Sequence, residues 1–313
     1  MNRRKLGSTG LEVSEIGFGA WQLCNNDSWG GMTDRTAFRL IDEALDGGIN
    51  LFDTAPNYAG TKSERVLGKA LKNKRDEVIL VSKFGHTPEG PMSFSVDWFW
   101  ESLEASLGRL CTDYLDVLLL HNPPSDMYAG TDPVWAAMEE AQTQGKIRHY
   151  GASLDLADEA RACLSNTNSE VLEVLFNVFH QEVRHSFDKV RERGAGIITK
   201  VPLDSGWLTG RFDAGSRFEG IRSRWTQEDI TRRAKLVSDI GWLVEDGSEL
   251  AHKAIGFLLS YDEVSCVIPG IRTREQLASN LAAAGGRLSP AERAKLEKFW
   301  DQVTEGGSRL IPW

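Results

Sequence analysis

Short apolar runs rich in β-branched residues recur along the whole chain, each followed by an amphipathic stretch. This alternation is typical of repeated β-α units and predicts a single parallel sheet. Runs such as 117–120 are continuously apolar, as expected of parallel strands covered on both faces, and they disfavour an antiparallel sandwich. The eight predicted strands are Ile16–Ala20, Asn50–Asp53, Val78–Ser82, Tyr114–His121, Ile147–Ala152, Val171–Phe176, Gly196–Val201 and Val264–Ile268.

Apolar residues spaced three to four apart predict helices between these strands. The predicted helices are Asp34–Leu45, Ser63–Leu71, Val96–Leu110, Pro133–Gln144, Leu156–Leu164 and Arg274–Ala283, with Gly47-Gly48 and Gly108 as helix ends. Eight strands with intervening helices favour a (β/α)8 TIM barrel over a doubly wound sheet, which more often has five or six strands.

The chain is predicted to be one barrel domain over residues 1–313, because no linker or low-complexity tract divides it. The first segment, Arg3–Ile16, contains Gly7-Ser8-Thr9-Gly10 and is predicted to form an N-terminal β-hairpin that closes the bottom of the barrel. A long insertion, Leu203–Asp246, follows the seventh strand and contains a charged helical stretch around Gln227–Val244. Insertions of this kind often carry function or cover a site.

Charge and cysteine usage narrow the class of protein. With 36 basic and 45 acidic side chains the net charge is −9, so binding to nucleic acid or to an anionic membrane is disfavoured, although a local patch for one phosphate remains open. No apolar run approaches the ~20 residues of a membrane span, and the basic segment 1–5 leads into a polar turn. The four cysteines form no C-x-x-C pair, so we expect a reducing, cytoplasmic location.

Ionisable residues end three successive predicted strands. Asp53 ends the second strand and leads to Tyr58, Lys83 ends the third, and His121 ends the fourth. Individually, Asp53 fits a turn cap, Tyr58 a surface aromatic, and Lys83 and His121 solvated strand ends. Jointly they point to a site, because neighbouring strands of a parallel barrel place their last residues side by side at the face where catalytic groups occur.

These four residue types suit proton transfer to a carbonyl oxygen. A tyrosine hydroxyl exchanges its proton poorly at neutral pH unless a cation stabilises the anion, and Lys83 is the candidate cation. Asp53 would hold Lys83 charged and fixed, and His121 would offer a second hydrogen bond to a substrate oxygen. This arrangement requires another group to deliver hydride to the carbonyl carbon.

The sequence resembles the aldo-keto reductase superfamily over essentially its full length. The resemblance is carried by Gly17-Phe18-Gly19-Ala20-Trp21, the run Asn50 to Tyr58, Ser63-Glu64-Arg65-Val66-Leu67-Gly68, Val81-Ser82-Lys83, Asp113 to Val117 and on to His121, Gly145-Lys146-Ile147-Arg148, Gly151-Ala152-Ser153, Pro202-Leu203 and Ile268-Pro269-Gly270. It implies a catalytic tetrad of Asp53, Tyr58, Lys83 and His121. It further implies NADP(H)-dependent reduction of aldehydes, ketones or open-chain sugars, with Tyr58 as the acid in reduction and the base in oxidation.

The resemblance also implies a dinucleotide bound across the barrel mouth without a Rossmann fold, and Gly17-Phe18-Gly19 indeed lacks a third glycine, since position 22 is Gln22. The segment Pro202 to Leu208 would wrap the pyrophosphate, unless it is a plain βα loop. Arg272 would read a 2′-phosphate and so favour NADP(H) over NAD(H), unless it only solvates a helix start. The implied cofactor residues are Ala20, Trp21, Asp53, Ser153, Glu173, Lys200, Pro202, Leu203, Ser205, Gly206, Leu208, Gly270, Arg272, Gln276 and Asn280.

Three positions depart from the family pattern at the expected nicotinamide end. Leu154 follows Ser153 where asparagine is common, Glu173 stands in place of glutamine, and Lys200 in place of an aromatic residue. A carboxylate accepts from an amide but cannot donate to it. Lys200 is predicted to pair with Glu173 and to disfavour the positively charged, oxidised ring.

The predicted substrate-binding residues are Trp21, Trp29, Tyr58, Phe84 and His121, and Phe84-Gly85-His86 and His121-Asn122-Pro123-Pro124 add polar groups near the same mouth. The partner is expected to be a small carbonyl or alcohol. One alternative is a cofactor-binding redox sensor or regulatory subunit, resembling the potassium-channel β subunits that share this barrel. A metal-dependent hydrolase is disfavoured and no metal is expected, because the six histidines form no H-x-H or H-E-x-x-H pattern.

Overall fold

The computed structural model describes residues 1–24, 29–87 and 91–312. A hairpin of β1 (Arg3–Lys5) and β2 (Glu12–Ser14) precedes eight parallel strands that pair in chain order. These are β3 (Phe18–Gly19), β4 (Leu51–Asp53), β5 (Ile79–Phe84), β6 (Leu115–His121), β7 (Ile147–Leu154), β8 (Val171–Leu175), β9 (Gly196–Lys200) and β10 (Val264–Val267). Parallel bridges between Ile16 and Val267 and between Gly19 and Gly270 join the first strand to the last, which confirms the predicted barrel.

The helices follow the strands around the barrel. They are α1 (Asp34–Asp46), α2 (Lys62–Leu71), α3 (Val96–Leu110), α4 (Pro133–Thr143), α5 (Ala157–Asn166), α6 (Phe187–Arg193), α7 (Gln227–Asp239), α8 (Leu250–Leu259), α9 (Arg274–Ala282) and α10 (Pro290–Val303). The six predicted helices are confirmed with small shifts at their ends, and α7 forms the predicted helical stretch of the insertion.

Four helix features differ from the prediction: the end of α3, and the presence of α6, α8 and α10. Gly108 was wrongly predicted as a helix end, since α3 continues to Leu110 and is capped by Cys111 in the left-handed conformation, with φ of 54°. Gly47 does cap α1. The helices α6, α8 and α10 were not predicted. In α8 only His252 and Lys253 are polar, so the amphipathic pattern of this helix is weak, whereas α10 carries a capping box at Ser289 and Glu292 that the sequence offered as a signal.

Two apolar cores hold the strands in place. The inner core fills the barrel with alternate strand residues such as Leu51, Val81 and Val117, and the hairpin residues Leu6 and Val13 pack into it from below. The outer core lies between the strands and the helices. Among the described residues, the apolar floor and the hairpin that plugs it separate polar groups at the other end of the strands from solvent on this side.

Glu15 fastens the hairpin to the C-terminal part of the chain. Its side chain is 1% exposed, and Oε1 lies 2.8 Å from both Arg4 Nε and an Arg287 nitrogen. The Gly285 amide donates to Oε2 at 3.0 Å, and Asn2 donates to the same oxygen at 3.3 Å. One buried carboxylate therefore accepts from four donors in two segments of the chain, 2–4 and 285–287.

We expect Glu15→Ala to lower the free energy of unfolding by about 1–3 kcal/mol, because it removes the buried carboxylate that accepts from Arg4 and from the Gly285 amide. Urea unfolding followed by circular dichroism measures this change. Glu12→Ala is the matched control, since Glu12 lies on the same hairpin with an exposed side chain and should change stability by roughly 0.5 kcal/mol or less. Equal losses in both variants would contradict the role given to Glu15.

Candidate active site

A cleft of about 880 Å³ opens at the carboxyl ends of the parallel strands. Its wall includes Asp53 and Tyr58 after β4, His121 at the end of β6, Glu173 on β8 and Lys200 at the end of β9. This volume is within the range of about 300–1,000 Å³ for ligand pockets. The predicted convergence of strand-end side chains on one mouth is therefore present in the structure.

Lys83 lies beneath the cleft and is the most deeply buried charge of the site, with a side-chain exposure of 0%. Its ammonium donates to Asp53 Oδ2 and, at 3.2 Å, to the carbonyl oxygen of Thr54. A second carboxylate, Glu173, places Oε2 at 3.1 Å from Nζ. Burial by itself favours the neutral amine, but Asp53 and Glu173 outweigh it and raise the pKa of Lys83, so the lysine stays charged.

Tyr58 sits above Lys83 at the floor of the cleft. Its ring centroid lies 5.3 Å from Lys83 Nζ, 6.0 Å from the His121 ring and 6.1 Å from the Trp21 ring. Burial raises the pKa of Tyr58, and the Asp53 and Glu173 carboxylates add to this, while Lys83 acts in the opposite direction. The hydroxyl is therefore protonated at neutral pH and available as a proton donor.

His121 is a neutral hydrogen-bonding group in this setting. Burial, together with the charges of Lys83, His86 and Lys200, holds its pKa well below the usual value. Its Nδ1 is buried without a hydrogen-bond partner, and the His86 ring packs edge-on against it at 4.5 Å. A neutral imidazole beside Tyr58 can hydrogen-bond a substrate oxygen without competing for the tyrosine proton.

Lys200 is tied into a polar cluster on the same wall. Its ammonium donates to Asn122 Oδ1 at 2.9 Å and to Ser153 Oγ at 2.8 Å, and it pairs with Asp155 Oδ1 at 2.9 Å. The predicted ion pair between Lys200 and Glu173 is wrong, because Lys83 and the Ser153 hydroxyl occupy the Glu173 carboxylate. Asn122 reaches this cluster from a left-handed backbone conformation, with φ of 49°.

The segment after β9 forms one wall of the cleft. Pro202, Leu203, Ser205 and Gly206 line it, whereas Leu208 is buried beneath. Ser205 and Gly206 have φ of 53° and 103°, so the turn exposes backbone toward the cleft, and a glycine is required at the second of these positions. The Ser205 carbonyl accepts from Arg222 Nε at 2.9 Å.

The segment after β10 forms the far end of the cleft. Gly270, Gln276 and Asn280 line it, and the Nδ2 of Asn280 is buried without a hydrogen-bond partner. Arg272 lies at the edge, where its guanidinium donates to the Gln22 carbonyl at 3.3 Å and the Gly31 carbonyl at 3.0 Å. These contacts leave N–H groups of the guanidinium available, because arginine carries five.

Aromatic residues cover the opposite wall. The Trp21 and Trp29 rings meet edge to face at 5.3 Å, and the Arg222 guanidinium lies 5.0 Å from the Trp29 ring centroid. The predicted contribution of Phe84 to this wall is wrong: Phe84 is buried in the outer core against Phe99. Side chains alternate along a strand, so the inward orientation of Lys83 turns Phe84 outward.

The arrangement fits a dinucleotide that carries phosphate groups. Of the predicted cofactor residues, Ala20 is buried, with its carbonyl accepting from the Ser63 hydroxyl at 3.1 Å, and Ser153 is buried behind Glu173. Basic side chains that were not singled out from the sequence, namely Arg211, Arg222 and Arg224, also line the cleft. They follow the predicted pyrophosphate segment in the chain, so the clustering of arginines in the insertion was the available signal.

Comparison with known proteins identifies relatives of the whole chain. The model of the aldo/keto reductase family matches residues 15–301. The chain is 28% identical to the uncharacterised oxidoreductase YqkF of Bacillus subtilis (strain 168), over 94% of this chain and 95% of that protein. It is 30% identical to L-galactose dehydrogenase of Arabidopsis thaliana, over 90% of this chain and 87% of that protein.

Solved structures give the same result. The holo form of aldo-keto reductase AKR11C1 from Bacillus halodurans matches with a TM-score of 0.80 and 28% identity, covering 95% of this chain and 96% of that one. Its apo form matches with a TM-score of 0.74 and 26% identity, covering 95% of each chain.

We expect Lys83→Met to lower the free energy of unfolding by about 3–5 kcal/mol near pH 8, because it leaves two buried carboxyl groups without their cation. In the variant these groups must be protonated in the folded state, so their pKa values rise above the unfolded values. The loss should therefore be small near pH 4 and should grow as the pH rises.

Urea unfolding at several pH values measures this dependence. Lys69→Met serves as the matched control, because Lys69 is an exposed lysine of α2. A pH-independent loss in Lys83→Met would contradict the proposed coupling of Lys83 to the two carboxyl groups.

Proposed function

The chain belongs to the aldo-keto reductase family, and we propose that it is an NADP(H)-dependent oxidoreductase that reduces aldehydes, ketones or open-chain sugars to alcohols, with Tyr58 as proton donor. Family membership makes the chain an oxidoreductase. The observation that carries the finer proposal is the Tyr58 hydroxyl at the floor of the cleft, next to a buried lysine that is held by two carboxylates and beside a neutral histidine.

The proposed chemistry divides between cofactor and protein. When bound, a nicotinamide would supply hydride to the carbonyl carbon. Tyr58 would donate the proton to the carbonyl oxygen, and His121 would hydrogen-bond the same oxygen and orient it. Lys83, held by Asp53, would stabilise the tyrosinate that remains. Trp21 and Trp29 exclude water from the cleft wall and offer apolar area to the substrate.

The residues of the cleft divide into three regions for the cofactor. Trp21, Asp53, Ser153, Glu173 and Lys200 would surround the nicotinamide. Ser205, Gly206 and the three cleft arginines would hold the pyrophosphate, since arginine N–H groups match phosphate oxygens in geometry and charge. Gln276 and Asn280 would face the adenine.

Arg272 supports the preference for NADP(H) over NAD(H). A 2′-phosphate needs a nearby cation, and the Arg272 guanidinium lies at the edge of the cleft, where it donates to the carbonyl oxygens of Gln22, a lining residue, and Gly31. The neighbouring Arg274 instead pairs with Glu43 at 2.8 Å. The two arginines are therefore expected to differ in their contribution to cofactor binding.

The first test is titration with NADPH and NADH by quenching of tryptophan fluorescence, followed by addition of 4-nitrobenzaldehyde. We expect binding and cofactor oxidation in the wild type. Tyr58→Phe should reduce kcat by about 10²–10⁴-fold, the usual contribution of a general acid, and should leave NADPH binding intact. Tyr114→Phe is the control, because that ring stacks between Arg75 and Arg148 outside the cleft.

The outcomes separate the candidate functions. Tight NADPH binding without turnover of any tested carbonyl would favour a redox sensor or regulatory subunit. Full turnover by Tyr58→Phe would contradict the role of Tyr58, and the absence of binding by either cofactor would contradict the whole proposal.

We expect Arg272→Ala to weaken NADPH binding by roughly 1–3 kcal/mol more than NADH binding, because only NADPH carries the 2′-phosphate that a guanidinium would contact. The ratio of the two dissociation constants is the informative quantity, since loss of the contacts to Gln22 and Gly31 affects both cofactors alike. Arg274→Ala should leave this ratio unchanged. Equal losses of both cofactors in Arg272→Ala would show that Arg272 does not read the phosphate.

A further inference from the structure

Glu173 is the unusual member of the buried cluster beneath the cleft. Its side chain is 2% exposed, its Oε2 lies 3.1 Å from Lys83 Nζ, and its Oε1 accepts from the Ser153 hydroxyl at 3.1 Å. A lysine that a single carboxylate would neutralise is thus shared between two.

The charges of the cluster do not balance if every group is ionised. The cations are Lys83 and Lys200, and the carboxyl groups are Asp53, Glu173 and Asp155. Glu173 therefore adds a negative charge that the pairing of Lys83 with Asp53 and of Lys200 with Asp155 does not offset.

The environment of each carboxyl group shifts its pKa in a different direction. Burial and the neighbouring Glu173 carboxylate raise the pKa of Asp53. Burial acts in the same direction on Glu173, but Lys83 and Lys200 outweigh it and lower the pKa of Glu173. Glu173 is therefore negatively charged at neutral pH.

The titratable groups that pack around Lys83 and its two carboxyl groups are neutral. Tyr58 from the loop after β4 is protonated, and His121 on β6 and the nearby His86 both have lowered pKa values. Burial raises the pKa of the Cys266 thiol on β10, which therefore remains neutral. The charged side chains that face Tyr58 from below are Lys83, Asp53 and Glu173.

We propose that Glu173 is a positioning residue that acts on Tyr58 through Lys83. As a second counter-ion of the lysine, Glu173 cancels positive charge that would otherwise stabilise the tyrosinate form of Tyr58. It thereby extends to higher pH the range in which Tyr58 can donate its proton. This inference rests on the proposed function. A glutamine at this position would keep the shape of the side chain and its hydrogen bond with Ser153, but it would remove the charge.

The test compares the full-length wild type with Glu173→Gln. We expect the alkaline limb of the pH profile of kcat/KM for carbonyl reduction to move to lower pH by about one unit or more in Glu173→Gln. The rising limb for alcohol oxidation should move in the same direction. Asp155→Asn is the matched control, because it removes a carboxylate that pairs with Lys200 rather than with Lys83, and it should shift both limbs much less.

A spectroscopic titration makes the result independent of turnover. Tyrosinate absorbance near 295 nm is recorded against pH, and the component missing in Tyr58→Phe is assigned to Tyr58. This component should appear at lower pH in Glu173→Gln than in the wild type, with the fold verified by circular dichroism at each pH.

The outcomes distinguish the inference from the proposed function. Unchanged kinetic limbs and an unchanged Tyr58 titration in Glu173→Gln would overturn the inference, even if stability or cofactor affinity changed, because those effects would show only a structural or clamping role. A wild type without turnover would contradict the proposed function, while the titration would still decide whether Glu173 controls the Tyr58 proton.

Discussion

The buried ammonium of Lys83 is the group on which the rest of the site depends. A lysine with no solvent access stays charged only if acceptors surround it, and here they come from β4, from the Thr54 carbonyl that follows it, and from β8 on the other side of the barrel. Strands separated in sequence can supply these acceptors together only when the sheet is closed. The closed barrel therefore keeps Lys83 charged. The proposed proton transfer by Tyr58, which lies above Lys83, depends on that charge.

The apolar interior below this cluster separates it from solvent on that side. Leu6 and Val13 of the hairpin plug the barrel, and the alternate strand residues packed above them are apolar. In the part of the chain that the structure describes, the cluster meets solvent at the cleft. In this low-dielectric setting burial shifts the pKa of Tyr58 upward and that of His121 downward, so a weak acid and a neutral hydrogen-bonding group stand side by side.

The barrel and the convergence of Asp53, Tyr58, Lys83 and His121 were predictable, because the strand count and the order of parallel strands determine which strand ends are neighbours. The outward position of Phe84 was also available from the sequence, since it directly follows the inward Lys83. The partners of Lys200 could not be predicted from the sequence. They depend on the backbone of the loops that follow the strands, including the left-handed conformation of Asn122, which no local sequence pattern indicates.

The partners of Lys200 link the three positions that depart from the family pattern, which are Leu154, Glu173 and Lys200. An isolated cation at that position would oppose the oxidised nicotinamide, yet Lys200 is neutralised by Asp155 at 2.9 Å and held by Asn122 and Ser153. Glu173 lies one hydrogen bond away through Ser153 and carries a negative charge. The two substitutions thus belong to one network in which Asp155 offsets Lys200 and Glu173 pairs with Lys83, and Asn122 supplies an amide beside Ser153 in the absence of one at Leu154. Lys200 therefore presents no isolated positive charge to the proposed nicotinamide position, and the bias against the oxidised ring that its charge alone would predict is not expected.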